Sequence, residues 1–461
     1  MKKKSERIIW ISLTSILLVL IVLLAFTPKA LAGNDEAEAQ KYLGIFYDVF
    51  QFVRNNYVDE DKVQPKNLIE GALKGMFESL GDPHSTYLTA DDMRDLTDTT
   101  TGRFGGVGLI ISKVDNGVLV VAPIEGTPAY KAGISAGDII IKINGESSVD
   151  LNINEVVKKL RGEPGTDVTV TILRGENLTF DVTITRGIIE VPTVKHAMIP
   201  GGIGYLRITT FTPLTPQRVK ESIQYFKDNN YKSMIIDLRS NPGGLLSSVI
   251  DVADFFISNG PIVSTKGRVP SEDRVYYASP RNTIVDPDIP IIVLVDKGSA
   301  SASEILAGAL MDTGRAKLIG EKTFGKGSVQ QVRRIDDAGF RLTMARYYTP
   351  SGRSIDKIGI TPDEIVKEPE LSEEEQKELQ ELMKGQYIKE FVKNHKSPRE
   401  KDIRDFMNKL DREGIKLPER YIKKLIRNEI NRTNNNPPVY DLDFDIVLKK
   451  AVEELRSGSY R

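Results

Sequence analysis

Two short stretches, SMIIDLR at 233–239 and IPIIVLVD at 289–296, constrain the fold most. Each is apolar at nearly every position and runs through a polar turn into a helical pattern. A strand with one wet face alternates polar and apolar residues, so a continuous apolar run must be covered on both faces. That is the condition of a parallel sheet flanked by helices. The turn after the first run contains NPGG at 241–244, and the turn after the second contains GSASASE at 298–304. Ligands gather at the carboxyl ends of parallel strands, so the two turns are expected to meet at one site.

The texture differs on either side of this α/β region, which spans about 187–365. Between 102 and 186, GVGLIISKV, GVLVVAPI, GDIIIKING and DVTVTILRG alternate with Gly and Asn turns, and one helix lies in NINEVVKKL. This predicts a compact, mostly β module. Residues 36–101 read as helices, with Tyr42, Leu43, Phe46, Val49, Phe50 and Val53 at helical spacing. Residues 366–461 are charge-dense and helical, with an apolar stripe of Tyr440, Leu442, Phe444, Val447, Leu448, Val452 and Leu455. Such stripes are too extensive for isolated helices in water, and they are expected to pair between chains in a homodimer. Residues 1–32 have the layout of an export signal: the basic MKKKSER, an apolar run from Ile8 to Phe26, and a small-residue site at Ala30-Leu31-Ala32. Whether cleaved or kept as a membrane anchor, this segment places the rest of the chain outside the cytoplasm.

Composition removes several chemistries. The chain has no cysteine, which excludes thiol nucleophiles, thiolate metal sites and disulfides. There are 63 Lys and Arg residues against 64 Asp and Glu, a balance that gives no reason to expect a nucleic-acid partner. No H-E-x-x-H occurs, so a metallopeptidase lacks its ligands, and no metal or cofactor is called for. The three histidines, His84, His196 and His395, lie outside the two turns. A Ser-His-Asp arrangement is therefore not expected.

The serines at 299, 301 and 303 admit two readings. Ser301-Ala302-Ser303-Glu304 fits the S-x-x-E capping box, which satisfies the first backbone N–H groups of a helix. A serine at a helix start is also placed for nucleophilic attack, because backbone donors there support developing negative charge. Two glycines in NPGG, Gly243 and Gly244, offer N–H groups to an anion without side-chain obstruction. With no histidine at the two turns, the remaining base is lysine. GEKTFGKGSVQQV offers Lys326 between two glycines, and alternation along the following strand puts Lys326, Ser328 and Gln330 on one face. To act as a base, the lysine must be neutral near pH 7, which burial promotes. Taken alone, a Gly-Lys-Gly turn is more often an exposed loop.

DLRSNPGG, GSASASEILAGAL, GKGSVQ and YYTPSGRSI, in this order behind GDPHSTYL and the β module, resemble the carboxyl-terminal processing peptidases, also called tail-specific proteases. The likeness covers about residues 36–365. It implies a crotonase-like (ClpP/crotonase) α/β core carrying a Ser-Lys site, an inserted PDZ domain, and helical N- and C-terminal arms. The implied boundaries are 1–32 for the signal or anchor, 36–101 for the helical N-terminal domain, 102–186 for the PDZ domain, 187–365 for the peptidase core and 366–461 for the helical tail. By motif position, Ser301 is the expected nucleophile, Lys326 its base and Gln330 the group that orients the base. The N–H groups of Ala302 and of Gly243 or Gly244 are the expected oxyanion donors.

The same resemblance assigns the β module. Gly106, Val107 and Gly108 are expected to hold a terminal carboxylate, with the peptide added as a strand along Leu109 and Ile110. Val156 and Leu160 of the facing helix then favour protein substrates with free apolar C-termini. Arg161, at the end of that helix, is the expected link from groove to catalytic cleft. The alternative from another class is a peptide-binding scaffold without activity, against which the presence of Ser301, Lys326 and Gln330 together weighs.

Overall fold

The computed structural model describes residues 29–460 except 125, 176, 368, 370 and 434–437. The export segment expected at 1–32 thus lies, apart from its last residues, outside the described residues. Among the described residues no helix is long and apolar enough to cross a membrane. The chain divides into two compact units, one of residues up to Thr89 together with Arg333–Arg341, the other of Ala90–Val332 and Leu342–Arg461.

The smaller unit holds the helices Lys29–Asn56 and Pro65–Glu78 and a short strand, Thr86–Leu88, paired antiparallel with residues 339–341. The GDPHS turn before that strand is closed by Asp82, whose carboxylate accepts from the His84 N–H and the Ser85 hydroxyl. Phe77 packs 5.6 Å from Phe340. On the long helix, Tyr42, Leu43, Phe46, Val49 and Phe52 are all exposed.

The larger unit is built on a six-stranded sheet of β1 (Val194–Ile199), β2 (Ile203–Ile208), β3 (Ser233–Asp237), β4 (Ile291–Val295), β5 (Lys317–Gly320) and β6 (Glu364–Ile365), in that order. β1 and β2 are antiparallel and every later pair is parallel. The two apolar runs are β3 and β4, and all five residues of each strand are buried. Their side chains divide by parity. Met234, Ile236, Ile291, Val293 and Val295 join α1 (Thr215–Asp228), α2 (Leu246–Asp254) and α3 (Ala302–Asp312) in one core. Ile235, Ile292 and Leu294 face the other way, onto α4 (Ile446–Ser457). The expected two-sided burial is therefore what the sheet has.

The tail stripe has a different fate from the one its sequence suggests. Val447, Leu448, Ala451 and Val452 of α4 are buried against the chain's own sheet, with Tyr440, Leu442 and Leu455 packed beside them. The stripe that looked free to pair between chains is covered within one chain, because the second face of the parallel sheet needs a helix. The start of α4 is also pinned by charge. Arg239 donates to both oxygens of Asp445, the N-cap of α4, at 2.8 and 2.6 Å, and to both oxygens of the fully buried Asp237. Burial alone would raise the Asp237 carboxyl, but Arg239, the Tyr205 hydroxyl and Arg207 outweigh it and hold the group below its ordinary value.

The β module forms its own sheet of five main strands, ordered Leu109–Val114, Gly117–Pro123, Ile139–Ile143, Asp167–Arg174 and Leu178–Thr185. The helix Ile153–Leu160 opens with Asn152, whose side chain caps the Asn154 and Glu155 N–H groups, and Glu155 returns a bond to the Asn152 N–H. Four tail helices between Glu373 and Thr433 enclose a separate apolar cluster that includes Leu382, Phe391, Phe406 and Leu410.

Candidate active site

The carboxyl ends of β3 and β4 lie side by side, and their turns are bonded together through backbone carbonyls. The Ser299 hydroxyl donates to Leu238 O at 2.8 Å and accepts from the Asp296 N–H. The Ser303 hydroxyl donates to Asn241 O at 2.9 Å, and the Ala300 N–H donates to the same oxygen at 3.0 Å. Ser299 and Ser303 are fully buried. Two of the three serines are thus rivets between the turns.

Ser301 differs from both. It is partly exposed and has φ +53° and ψ −114°, a corner normally left to glycine. The corner turns the chain from β4 into α3 and raises the serine above the neighbours that anchor it. Directly against it lies Gly243, at φ +104°. A side chain at Gly243 would meet Ala300 O and Ser301 Cβ at 2.8 Å and Ala302 N at 2.9 Å, so only glycine allows the approach. The Gly243 N–H is already given to Asn241 Oδ1 at 2.9 Å, whereas the N–H groups of Gly244 and Ala302 have no acceptor among the described residues.

The segment carrying Lys326 is strapped onto the start of α3. Phe324 N–H donates to Ser299 O at 3.0 Å, and the buried Glu304 carboxylate accepts from the N–H groups of Gly325 and Lys326 at 2.7 and 2.8 Å. Glu304 also accepts from the Ser301 N–H at 2.9 Å, so the glutamate half of the expected capping box is present. The YYTPSGRSI stretch cradles the lysine loop from outside. Tyr347 N–H reaches Gly327 O and Lys357 N–H reaches Gly325 O, and a side chain on Gly327 would strike Asp356 N at 2.2 Å.

Ser301, Ala302, Gly243 and Gly244 are therefore brought together, with Lys326 tied in through its backbone. Gln330 sits on the strand Ser328–Ile335 and donates to Ser328 Oγ at 2.7 Å, which agrees with the expected shared face for those two. The strand starts after Lys326, so alternation does not extend to the lysine. His196 Nδ1 pairs with Ser222 Oγ and His395 Nδ1 with Phe391 O, away from the turns.

In the β module, Val107 and Gly108 form the bend before the edge strand Leu109–Val114, and among the described residues no acceptor holds their N–H groups. Gly106 ends the preceding strand, paired with Gly187. Gly108, at φ +82°, lies so close to Thr127 that an added Cβ would stand 2.3 Å from it. Leu109 is half-buried and Ile110 exposed, as befits an edge with one face inward. Val156 and Leu160, expected to line an open groove, are instead buried in the module's core with Val107, because the helix packs onto its own sheet. Among the described residues Arg161 makes no hydrogen bond or ion pair with the two turns. Its guanidinium lies 4.4 Å from the Phe104 ring centroid and pairs at 3.3 and 3.5 Å with Asp98 and Asp95 on the helix Ala90–Thr101.

Sequence reasoning passed over Asn241 and Thr323, and it read Glu304 only as a cap. Asn241 precedes Pro242 in a turn, where its residue type signals a local bond, yet its bonds run to Ile208 O, Gly243 and the other turn. Nothing in the TFGKG pattern signals that the Thr323 hydroxyl meets Glu304.

A sequence profile for Peptidase family S41 matches residues 202–366, one for a PDZ domain matches 119–174, and one described as the activating protease CtpB N-terminal domain matches 27–92. The carboxy-terminal-processing protease of Bartonella bacilliformis is 45% identical over 350 residues, covering 74% of this chain and 79% of that protein. The carboxy-terminal processing protease CtpA of Bacillus subtilis is 35% identical, covering 75% of each. Among solved structures, the photosystem II D1 C-terminal processing protease is 31% identical with a TM-score of 0.42, covering 70% of this chain and 92% of that one.

If Ser299 and Ser303 are rivets, Ser299→Ala takes the acceptor from the Asp296 N–H and the hydroxyl donor from Leu238 O, and Ser303→Ala removes one of the two donors to Asn241 O, each at a cost of about 0.5–3 kcal/mol. Chemical denaturation of each variant checks this, and an unchanged midpoint would remove the structural role.

Proposed function

Because the chain belongs to the carboxyl-terminal processing peptidases of family S41, serine proteases that carry a PDZ domain, we propose that its reaction runs on Ser301 and Lys326. The observation that carries this reading is the meeting of the two turns. A partly exposed serine at a strained corner stands beside Gly243, with the open donors of Gly244 and Ala302 close by and the Lys326 backbone held to the same helix start.

In the first step Ser301 Oγ attacks the scissile carbonyl and neutral Lys326 takes its proton. The carbonyl oxygen becomes an oxyanion, which the N–H groups of Ala302 and Gly244 stabilise. The Gly243 N–H, engaged by Asn241, keeps the turn in shape. Lys326 then gives the proton to the leaving amine as the C–N bond breaks, leaving an acyl-enzyme. Water, deprotonated by Lys326, attacks the ester and releases the acid and Ser301. Gln330, whose amide nitrogen is committed to Ser328, orients the lysine through its carbonyl oxygen.

The substrate is a protein with a free apolar C-terminus, captured at Val107 and Gly108 and added as a strand along Leu109 and Ile110. Arg161 is the regulatory contact, released from Asp95 and Asp98 when a peptide widens the space beside the helix Ile153–Leu160. The N-terminal segment exports the chain, which works outside the cytoplasm, anchored or secreted. With the tail stripe buried in its own chain, the exposed apolar face of Lys29–Asn56 is the contact of a homodimer.

Ser301→Ala and Lys326→Ala are each expected to abolish cleavage of an unstructured protein, measured by gel or fluorescence, while the fold persists. Lys326→Arg is expected to be inert too, since guanidinium stays protonated. Full activity in Ser301→Ala overturns the mechanism. A non-cleavable peptide with an apolar C-terminus is expected to speed cleavage of a separate short substrate in the parent and to do so less in Arg161→Ala. Binding without acceleration reduces the PDZ domain to a tether. Light scattering of the protein from Gly33 onward is expected to give the mass of a dimer, and a monomer at micromolar concentration removes the arm contact.

A further inference from the structure

The reaction as proposed leaves one fully buried carboxylate at the site without a part. Glu304 lies in the first turn of α3, and the four hydrogen bonds that its carboxylate makes among the described residues all come from donors. Oε2 accepts from the Ser301 N–H at 2.9 Å and the Lys326 N–H at 2.8 Å. Oε1 accepts from the Gly325 N–H at 2.7 Å and the Thr323 hydroxyl at 2.5 Å. The backbone groups have only hydrogen to offer. Thr323 Oγ1 already accepts from the Ile360 N–H at 2.6 Å, which turns its own proton toward Glu304. With a donor on every side, both carboxyl oxygens serve as acceptors.

A helix cap needs one of these bonds. The other three run to the segment 323–326, which is distant in sequence and whose bonds to α3 end on its first turn. One atom, Oε2, receives the backbone N–H of both the residue read as nucleophile and the residue read as base. We propose that Glu304 is a positioning residue that fixes the separation of Ser301 and Lys326, with Thr323 as its support. The proposal rests on the Ser-Lys reading. Its physical basis is that charge-assisted bonds to a buried carboxylate are short, directional and costly to break, and that small errors in the placement of reacting groups cost large factors in rate.

Glu304→Gln keeps the size and shape of the side chain but sets an NH2 group against backbone donors, so one of the two pairs of contacts must open. The expected result is a fall in kcat of about 100-fold or more, the scale of losing one preorganised contact in a serine protease. KM for a peptide substrate should stay within about threefold, because the residue touches no substrate. Near-UV circular dichroism should match the parent. Thr323→Val is a second variant, which loses one bond to Oε1 and the acceptor of the Ile360 N–H, and it is expected to lower kcat by about tenfold, again without a change in KM. A parental kcat in Glu304→Gln overturns the proposal, as does a loss that appears in KM or only in proportion to unfolded protein. If Glu304→Gln does not fold, Thr323→Val decides, and an unchanged kcat there overturns the proposal. Ser301→Ala, assayed alongside, separates the two claims. An active Ser301→Ala sinks the Ser-Lys reading itself, whereas an inert Ser301→Ala beside a fully active Glu304→Gln sinks only the role of Glu304.

Discussion

The carbonyl oxygen of Asn241 is the point on which the site depends. It accepts from the Ala300 N–H and the Ser303 hydroxyl, and through them the turn after one parallel strand is fixed to the turn after the next. Parallel pairing sets the strands in register, but the loops beyond the last ladder bond are not constrained by the ladder. Buried bonds to a main-chain acceptor supply the missing constraint, and they are durable because an unpaired buried carbonyl or hydroxyl is expensive. Gly243 can then press against Ser301 without a side chain, and Glu304 can collect the lysine loop. Each later contact presupposes the first.

Below the turns lies a buried ionic layer. Arg239 sits between Asp237, inside the sheet, and Asp445, at the start of the last helix. Desolvating these groups is costly, and the cost is offset only if every partner is in place. The C-terminal helix is consequently part of the catalytic unit's foundation: it covers one face of the sheet and completes the charge set beneath the NPGG turn.

Much of this was legible from residue types. Continuous apolar runs announced a two-sided sheet because burial on both faces leaves no position for a polar residue. The order of the motifs around Ser301 and Lys326 identified the class of chemistry. Other features were hidden for physical reasons. A stripe on a helix states that it must be covered, but not by what, and the tail stripe found its own sheet. Side chains that read as groove lining, Val156 and Leu160, are equally good core residues. Arg161 carries a long side chain that can pair with any nearby acid, and only the packing of the helix Ala90–Thr101 against the module selects Asp95 and Asp98. The S-x-x-E pattern announces a cap, yet the three contacts that Glu304 makes beyond it come from residues about twenty positions away and leave no local trace.

The backbone of Ser301 has a consequence for how such a chain evolves. A non-glycine residue at that corner carries strain on the order of 1–3 kcal/mol, and glycine would sit there without it. The residue best suited to the turn is thus one that has no hydroxyl. On the proposed mechanism, folding stability and chemical competence pull in opposite directions at this position, and a lineage released from the need for activity gains robustness by a change at 301 alone. The buried rivets on either side serve to hold a conformation that the chain, left to its own preferences, would relax.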